Sequence, residues 1–178
     1  MTSFLTTGGI RGSEKSVDKF QPRSFNMGLS RKAFEATNGF GKIHPGEDPD
    51  LTIRLWKTGF ETSFISKAYV FHKRRISWKK FYQQVQKFGK CRPILNHWHP
   101  ETKKITYWFP TVFVFSVLVS VLASTMGIHV FSCLLAFYLI VILIDASLKN
   151  RSFLIGFQAV IALFIQFFGY GLGFLLAT

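Results

Sequence analysis

The sequence predicts an α/β part built on a mixed sheet, followed by an α-helical membrane region of three transmembrane helices, and three observations carry that prediction. Composition changes near residue 105: twenty of the 22 Lys and Arg, and eight of the nine Asp and Glu, precede it. Beyond that point three runs, 108–127, 128–144 and 153–178, carry no charged residue, and each is near the roughly 20 residues that cross a bilayer core. In the polar part, helix start and stop signals alternate with short segments of extended pattern at 25–29, 60–65 and 68–72. Residues 1–105 therefore read as one domain and 106–178 as a membrane region.

Acidic side chains crowd together once in the basic part, at Gly46-Glu47-Asp48-Pro49-Asp50-Leu51. Asp48 is placed to cap a helix, Pro49 takes its first position, Leu51 to Lys57 continue at helical spacing, and Gly59 stops it. A carboxylate at a helix start is favoured in its ionised form by the helix dipole. Such a group serves either as a cap alone or, at the lip of a cleft, as a general base. Asp50 and Arg54 stand four apart and suit an ion pair along the helix. Upstream, Ser30 caps a helix through Ala36 that Asn38 and Gly39 end, and the Gly- and Pro-containing loop 41–46 turns the chain so that Asn26 approaches Asp48.

The order of pieces is fairly specific. Ser24-Phe25-Asn26-Met27-Gly28-Leu29-Ser30-Arg31-Lys32-Ala33-Phe34, Asn38-Gly39-Phe40, the acidic motif, Leu51-Thr52-Ile53-Arg54-Leu55, Lys57-Thr58-Gly59-Phe60, Tyr69-Val70-Phe71-His72 and Ser77-Trp78-Lys79-Lys80-Phe81 follow one another. This series resembles the C-terminal half of a family 2 glycosyltransferase catalytic domain of the GT-A type. The resemblance implies a membrane-bound inverting glycosyltransferase that moves a sugar from a nucleotide-activated donor to a hydroxyl acceptor, lipid-linked or another glycan, in cell-surface glycan or polysaccharide synthesis. It implies Asp48 as the base, Glu47 as a hydrogen-bond partner of the acceptor or a brace for the loop, and Asn26 on the acceptor side. It also implies Mg2+ or Mn2+ at the donor diphosphate, with His72 as a ligand. Lys73, Arg74 and Arg75 suit a diphosphate or lipid headgroups, and equally a solvated charge run.

Gln84-Val85-Gln86-Lys87-Phe88 has the spacing of the Gln-x-x-Arg-Trp motif that processive members of the family use beside the acceptor, which places Gln84, Lys87 and Phe88 there. Lys and Phe replace Arg and Trp, and neither exchange conserves the guanidinium fork or the indole face. Asp48-Pro49-Asp50 is formally Asp-x-Asp, yet it opens a helix after Gly-Glu and so takes an acceptor-side place rather than the metal motif's. The nucleotide-binding half that begins such domains has no counterpart in this sequence, so the chain reads as a fragment, a truncated reading frame or a protein that works with a separately encoded partner, with catalysis by this chain alone left open.

Charge and hydropathy set the surroundings. A formal net charge of +13 suits an anionic partner. No groove-reading motif points to nucleic acid. Ser77 caps a basic helix over about 77–90 in which Trp78, Phe81, Tyr82, Val85 and Phe88 repeat at helical spacing, and it suits the headgroup surface or packing on the catalytic domain. Lys103 and Lys104 before the first apolar run, and Lys149 and Arg151 after the second, place the polar domain in the cytoplasm as part of a multi-pass inner-membrane protein, with the turn near 127 and the C-terminus outside. Cys91 and Cys133 lie in different settings and do not suggest a disulfide. The Gly-rich stretch 7–15 reads as a linker, and residues 1–7 lack the features of a cleavable signal peptide. The rival from another class is a non-catalytic membrane module whose basic face binds anionic lipid or a partner chain.

Overall fold

A computed structural model describes residues 20–65, 67–71 and 77–178. Six α-helices follow in order: α1 (Arg31–Ala36), α2 (Glu47–Lys57), α3 (Trp78–Trp98), α4 (Phe109–Thr125), α5 (Val130–Asn150) and α6 (Phe153–Leu175). Short 3-10 turns stand at Ser24–Asn26, Pro100–Thr102 and Ile105–Trp108.

The mixed sheet is not found among the described residues, so the α/β expectation is corrected to a helical architecture. Part of the first expected strand is a 3-10 turn, and 60–65 and 68–71 carry no regular secondary structure. Strand pairing needs a neighbour that takes up the backbone N–H and C=O groups, and none of these segments finds one. Side-chain contacts hold them instead. The Asn26 amide donates to the Ala68 carbonyl (3.3 Å), the Thr62 hydroxyl donates to the Phe20 carbonyl (2.6 Å), and the Phe20 and Phe64 rings tilt together at 5.2 Å.

α1 begins and ends as its sequence signals require. The Ser30 hydroxyl accepts from the Ala33 N–H at 3.2 Å, and Asn38 and Gly39 close the helix with φ of 54° and 65°. α2 starts earlier than expected: Gly46 is the N-cap, Glu47 the first helical residue, and Asp48 lies within the first turn. The reason is the fit of Gly46, whose φ is 121° and where a Cβ would collide with the Cys91 sulfur. α2 buries Leu51 and Leu55 against Ala33, with Met27, Leu29 and Phe60 around them.

α3 begins at the Ser77 cap (accepting from the Lys80 N–H, 3.3 Å) but runs through Pro93 to Trp98, beyond the expected end near residue 90. Burial explains the extension, since Cys91 and Leu95, one turn apart, pack on Ile43 beneath the start of α2. The other buried positions of α3, Val85 and Gly89, face α6. Side chains at Gly89, Gly169 and Gly173 would strike Tyr170, Val85 and Gln86 respectively, so the two backbones approach as closely as small residues permit. The pairing of 85 with 169 and of 86 and 90 with 173 makes α3 and α6 parallel. The expected amphipathic helix thus packs along α6 and meets the start of α2 through Cys91 and Leu95.

Three helical segments, Ile105–Thr125, Val130–Asn150 and Phe153–Leu175, are long and apolar enough to cross a membrane, with mean hydropathy of 1.9, 2.4 and 1.9. α5 continues through the expected break at Asp145, which pairs with Lys149 at 2.8 Å along the helix. α4 and α5 form an antiparallel hairpin closed at Gly127 (φ 80°), where the Ser124 and Ser132 hydroxyls meet at 2.6 Å. Phe113, Ile142, Leu163 and Phe167 form the core that joins the hairpin to α6.

Both ends of α6 meet the hairpin near its open end, while its middle packs further along, in the core that Val117 and Leu135 line. Its Gly156 abuts Leu143 and Ser147 near the end of α5, while its Gly171 abuts Pro110 and Thr111 at the start of α4, and Phe174 meets Trp108 at 4.9 Å. From Gly156 to Gly171 a helix advances about 22 Å, yet both partners lie on one end of the hairpin. α6 therefore crosses the open end and does not run antiparallel to α5 along its length.

Candidate active site

The acidic motif sits where α2 docks on α3. Asp50 and Thr52 are buried with the apolar face of α2, at 2 % and 0 % exposure. A buried carboxylate needs compensation, and Asp50 has it from two sides. Its Oδ2 accepts from Arg54 Nε at 3.0 Å and Nη2 at 2.8 Å, and its Oδ1 lies 2.9 Å from His99 Nε2. Arg54 in turn donates to the Thr37 carbonyl and, at 2.8 Å, to the Gly39 carbonyl, which fixes the end of α1.

His99 is buried just past the end of α3. Lys57 Nζ, which can only donate, lies 3.0 Å from His99 Nδ1, so Nδ1 accepts and Nε2–H donates to Asp50. Lys57 also pairs with Glu101 at 2.8 Å. Burial pushes the Asp50 carboxyl up, but the hydrogen bonds of Arg54 and His99 and the charge of Arg54 outweigh it and hold the group below the ordinary carboxylate value. The Lys57 hydrogen bond likewise lowers Glu101. Burial pushes the Cys91 thiol up to about 11, so Cys91 serves as an apolar wall.

Asp48 is treated differently. Its Oδ1 is buried and has no hydrogen-bond partner, and its side chain enters no ion pair among the described residues. Glu47 Oε2 lies 3.2 Å from His44 Nδ1, a contact open to water on the histidine side, but that oxygen too is buried without a hydrogen bond. Two carboxylates two positions apart thus have separate fates: Asp50 is committed to structure, and Asp48 is left with an unfilled acceptor at the first turn of a helix.

The remaining expected residues scatter around this point. Asn26 is engaged with Ala68, while the adjoining Met27 and Leu29 pack beside Leu51 and Leu55. Gln84, Lys87 and Phe88 share one exposed face of α3, turned away from Gly89 and α6. His72, Lys73, Arg74 and Arg75 lie outside the described residues, as does the Gly-rich stretch 7–15. Among the described residues no three His, Cys, Asp or Glu side chains converge to hold an ion, and Asp50 is already occupied. The described residues therefore do not form a site for Mg2+ or Mn2+.

Residues 25–173 match the family described as glycosyl transferase family group 2, a span that takes in both the acidic motif and the three apolar helices. The chain belongs to that family. No curated protein and no solved structure gives a match. As a member of glycosyl transferase family group 2, the chain carries the acidic motif within the matched span and joins it to membrane-capable helices through α3. Sequence reasoning missed His99 and Lys57, which complete the docking. His99 lies 49 positions from Asp50, and only its place beside the change of composition near residue 105 hinted at an interface.

Proposed function

We propose that the protein is a membrane-bound inverting glycosyltransferase in which Asp48 is the general base. The base takes the proton of an acceptor hydroxyl as that oxygen attacks the anomeric carbon of a nucleotide-activated sugar, and the nucleoside diphosphate leaves. The observation that carries this reading is the contrast within the motif: Asp50 is saturated by Arg54 and His99, while Asp48, like its neighbour Glu47, keeps an unpaired buried oxygen. A general base has to reach its proton and hold no competing donor. Glu47, next in the chain, is placed to orient the acceptor, and Gln84, Lys87 and Phe88 present an exposed polar and aromatic strip for the same substrate. The polar domain faces the cytoplasm, where nucleotide sugars are made, and the acceptor is a glycan held at the bilayer. Support for that placement comes from the match to the family and from the apolar helices.

The test is transfer from a labelled nucleotide sugar in membranes that carry the protein joined to a nucleotide-binding half of the family, comparing the parent with Asp48→Asn. Loss of transfer with retained donor binding supports the reading. Parent-level transfer by Asp48→Asn, with Asp50→Asn equally active once folded, removes it and leaves the acidic motif as a helix start.

A further inference from the structure

His99 is a buried titratable group that the proposed chemistry leaves unused. It is enclosed where α2 meets the end of α3, at 5 % exposure. Its backbone is pinned, because the His99 N–H donates to the Leu95 carbonyl (2.8 Å) and the His99 carbonyl accepts from the Thr102 N–H and hydroxyl, both at 2.9 Å. Asp50, Arg54 and Lys57 surround the ring from α2, and Glu101 faces it from the turn after α3. On α3 itself Arg92 is turned to Tyr107, and His97 is exposed to water.

The bonds at the ring hold only for a neutral imidazole. Nδ1 accepts from Lys57 Nζ at 3.0 Å, while Nε2–H donates to Asp50 Oδ1 at 2.9 Å. A second ring proton has to sit on Nδ1, since Nε2 already carries one. Nδ1–H and the Lys57 ammonium then become two donors of like charge across the same 3.0 Å, an arrangement that repels. The ring is held by its backbone and by Asp50, which binds imidazolium more strongly than imidazole, so Lys57 is the group that gives way. Its side chain is half exposed, and water can take the released ammonium. An acceptor already stands near Nδ1: Glu101 Oε1 lies 3.9 Å away, its carboxyl held below the ordinary carboxylate value by the Lys57 hydrogen bond.

We propose that His99 is a proton-operated latch on α2: neutral, it holds Lys57 at the end of that helix, and protonated, it releases Lys57 and pairs with Glu101 and Asp50. The exchange replaces a tie between α2 and the end of α3 with one between residues two positions apart. Docking through Asp50 persists in both states, because the imidazolium keeps the Nε2–H bond and adds charge to it. One end of α2 is therefore freed while the end that bears the acidic motif stays seated. The latch goes beyond the glycosyltransferase reading and does not depend on it.

The test is hydrogen exchange by the full chain in nanodiscs, from about pH 8 to about pH 5, the range over which histidine side chains titrate, with uptake corrected for the base-catalysed intrinsic rate. As pH falls, the amides of residues 55–58 should lose protection by about fivefold to tenfold, the worth of one hydrogen bond, in a transition of one proton. Residues 50–53 should keep theirs. His99→Gln offers Lys57 an amide oxygen and Asp50 an amide N–H but takes up no proton, so its residues 55–58 should stay protected throughout. Lys57→Met has no amine to evict, and its last turn of α2 should exchange at one level across the range. A parent without the transition overturns the latch, as does a transition that survives in His99→Gln or in Lys57→Met. Loss of protection at residues 50–53 together with 55–58 means that all of α2 undocks, and it overturns the exchange of partners as well.

Discussion

His99 Nε2 lies 2.9 Å from Asp50 Oδ1, and this bond ties the acidic-motif helix to the end of the helix that packs on the membrane segments. Because Lys57 and Glu101 continue the chain on one side and Arg54 on the other, any motion of α3 is felt at the motif through paired charges. Asp50→Asn leaves Arg54 and His99 without their common acceptor. It is expected to destabilise the docked polar part by on the order of 3 kcal/mol, the scale for breaking a buried pair. Protease sensitivity of the 58–77 connection in nanodiscs measures it, and protection equal to the parent's would refute the docking role.

The same contact sets an acid limit. The Asp50 carboxyl is held below its ordinary value of about 3.9 by Arg54 and His99, so its contribution is fully present above that value and is lost as pH falls through the folded one. The docking of α2 should thus resist mild acid and loosen only below about pH 4. In Asp50→Asn this step should vanish from a near-ultraviolet circular dichroism titration.

Asp48→Asn should behave in the opposite manner. With no partner to lose, folding should change by less than about 1 kcal/mol, while sugar transfer should fall by roughly two to four orders of magnitude. Steady-state transfer together with a donor-binding isotherm separates these effects. A stable variant with parent kinetics contradicts the assignment.

Close approach of α3 and α6 depends on absent side chains. Gly89→Ala puts a methyl group into the Tyr170 carbonyl and should cost about 1 to 3 kcal/mol. Gly28→Ala, where nothing lies within 4 Å, should cost little and serves as the control. The readout is cross-linking between cysteines introduced at Gln86 and Leu172, which Gly89→Ala should slow.

The crossing of α6 over the open end of the hairpin predicts that both of its ends lie on one side of the membrane. A reporter active only in the cytoplasm should therefore work after Ser147 and also after Thr178, and fail after Gly127. Silence after Thr178 with activity after Ser147 would mean that α6 spans.

Local chemistry determined a good part of this protein without any structure. Ser30 and Ser77 each offer a hydroxyl to an N–H three residues on, Gly59 ends α2, and uncharged runs of bilayer length mark the apolar helices. These effects act within one turn or one continuous run, so they can be read along the chain. Where a signal needed a remote partner, reading failed. The segments 25–29 and 60–65 have strand composition but no neighbouring strand among the described residues to pair with, and Asp48 yields the cap to Gly46 because Cys91 lies against that glycine. Tertiary structure alone decided that α6 crosses the hairpin, because hydropathy measures length and apolarity and is blind to direction. It alone divided the two aspartates, since a carboxylate's role depends on which donors reach it, and His99 arrives from 49 positions away.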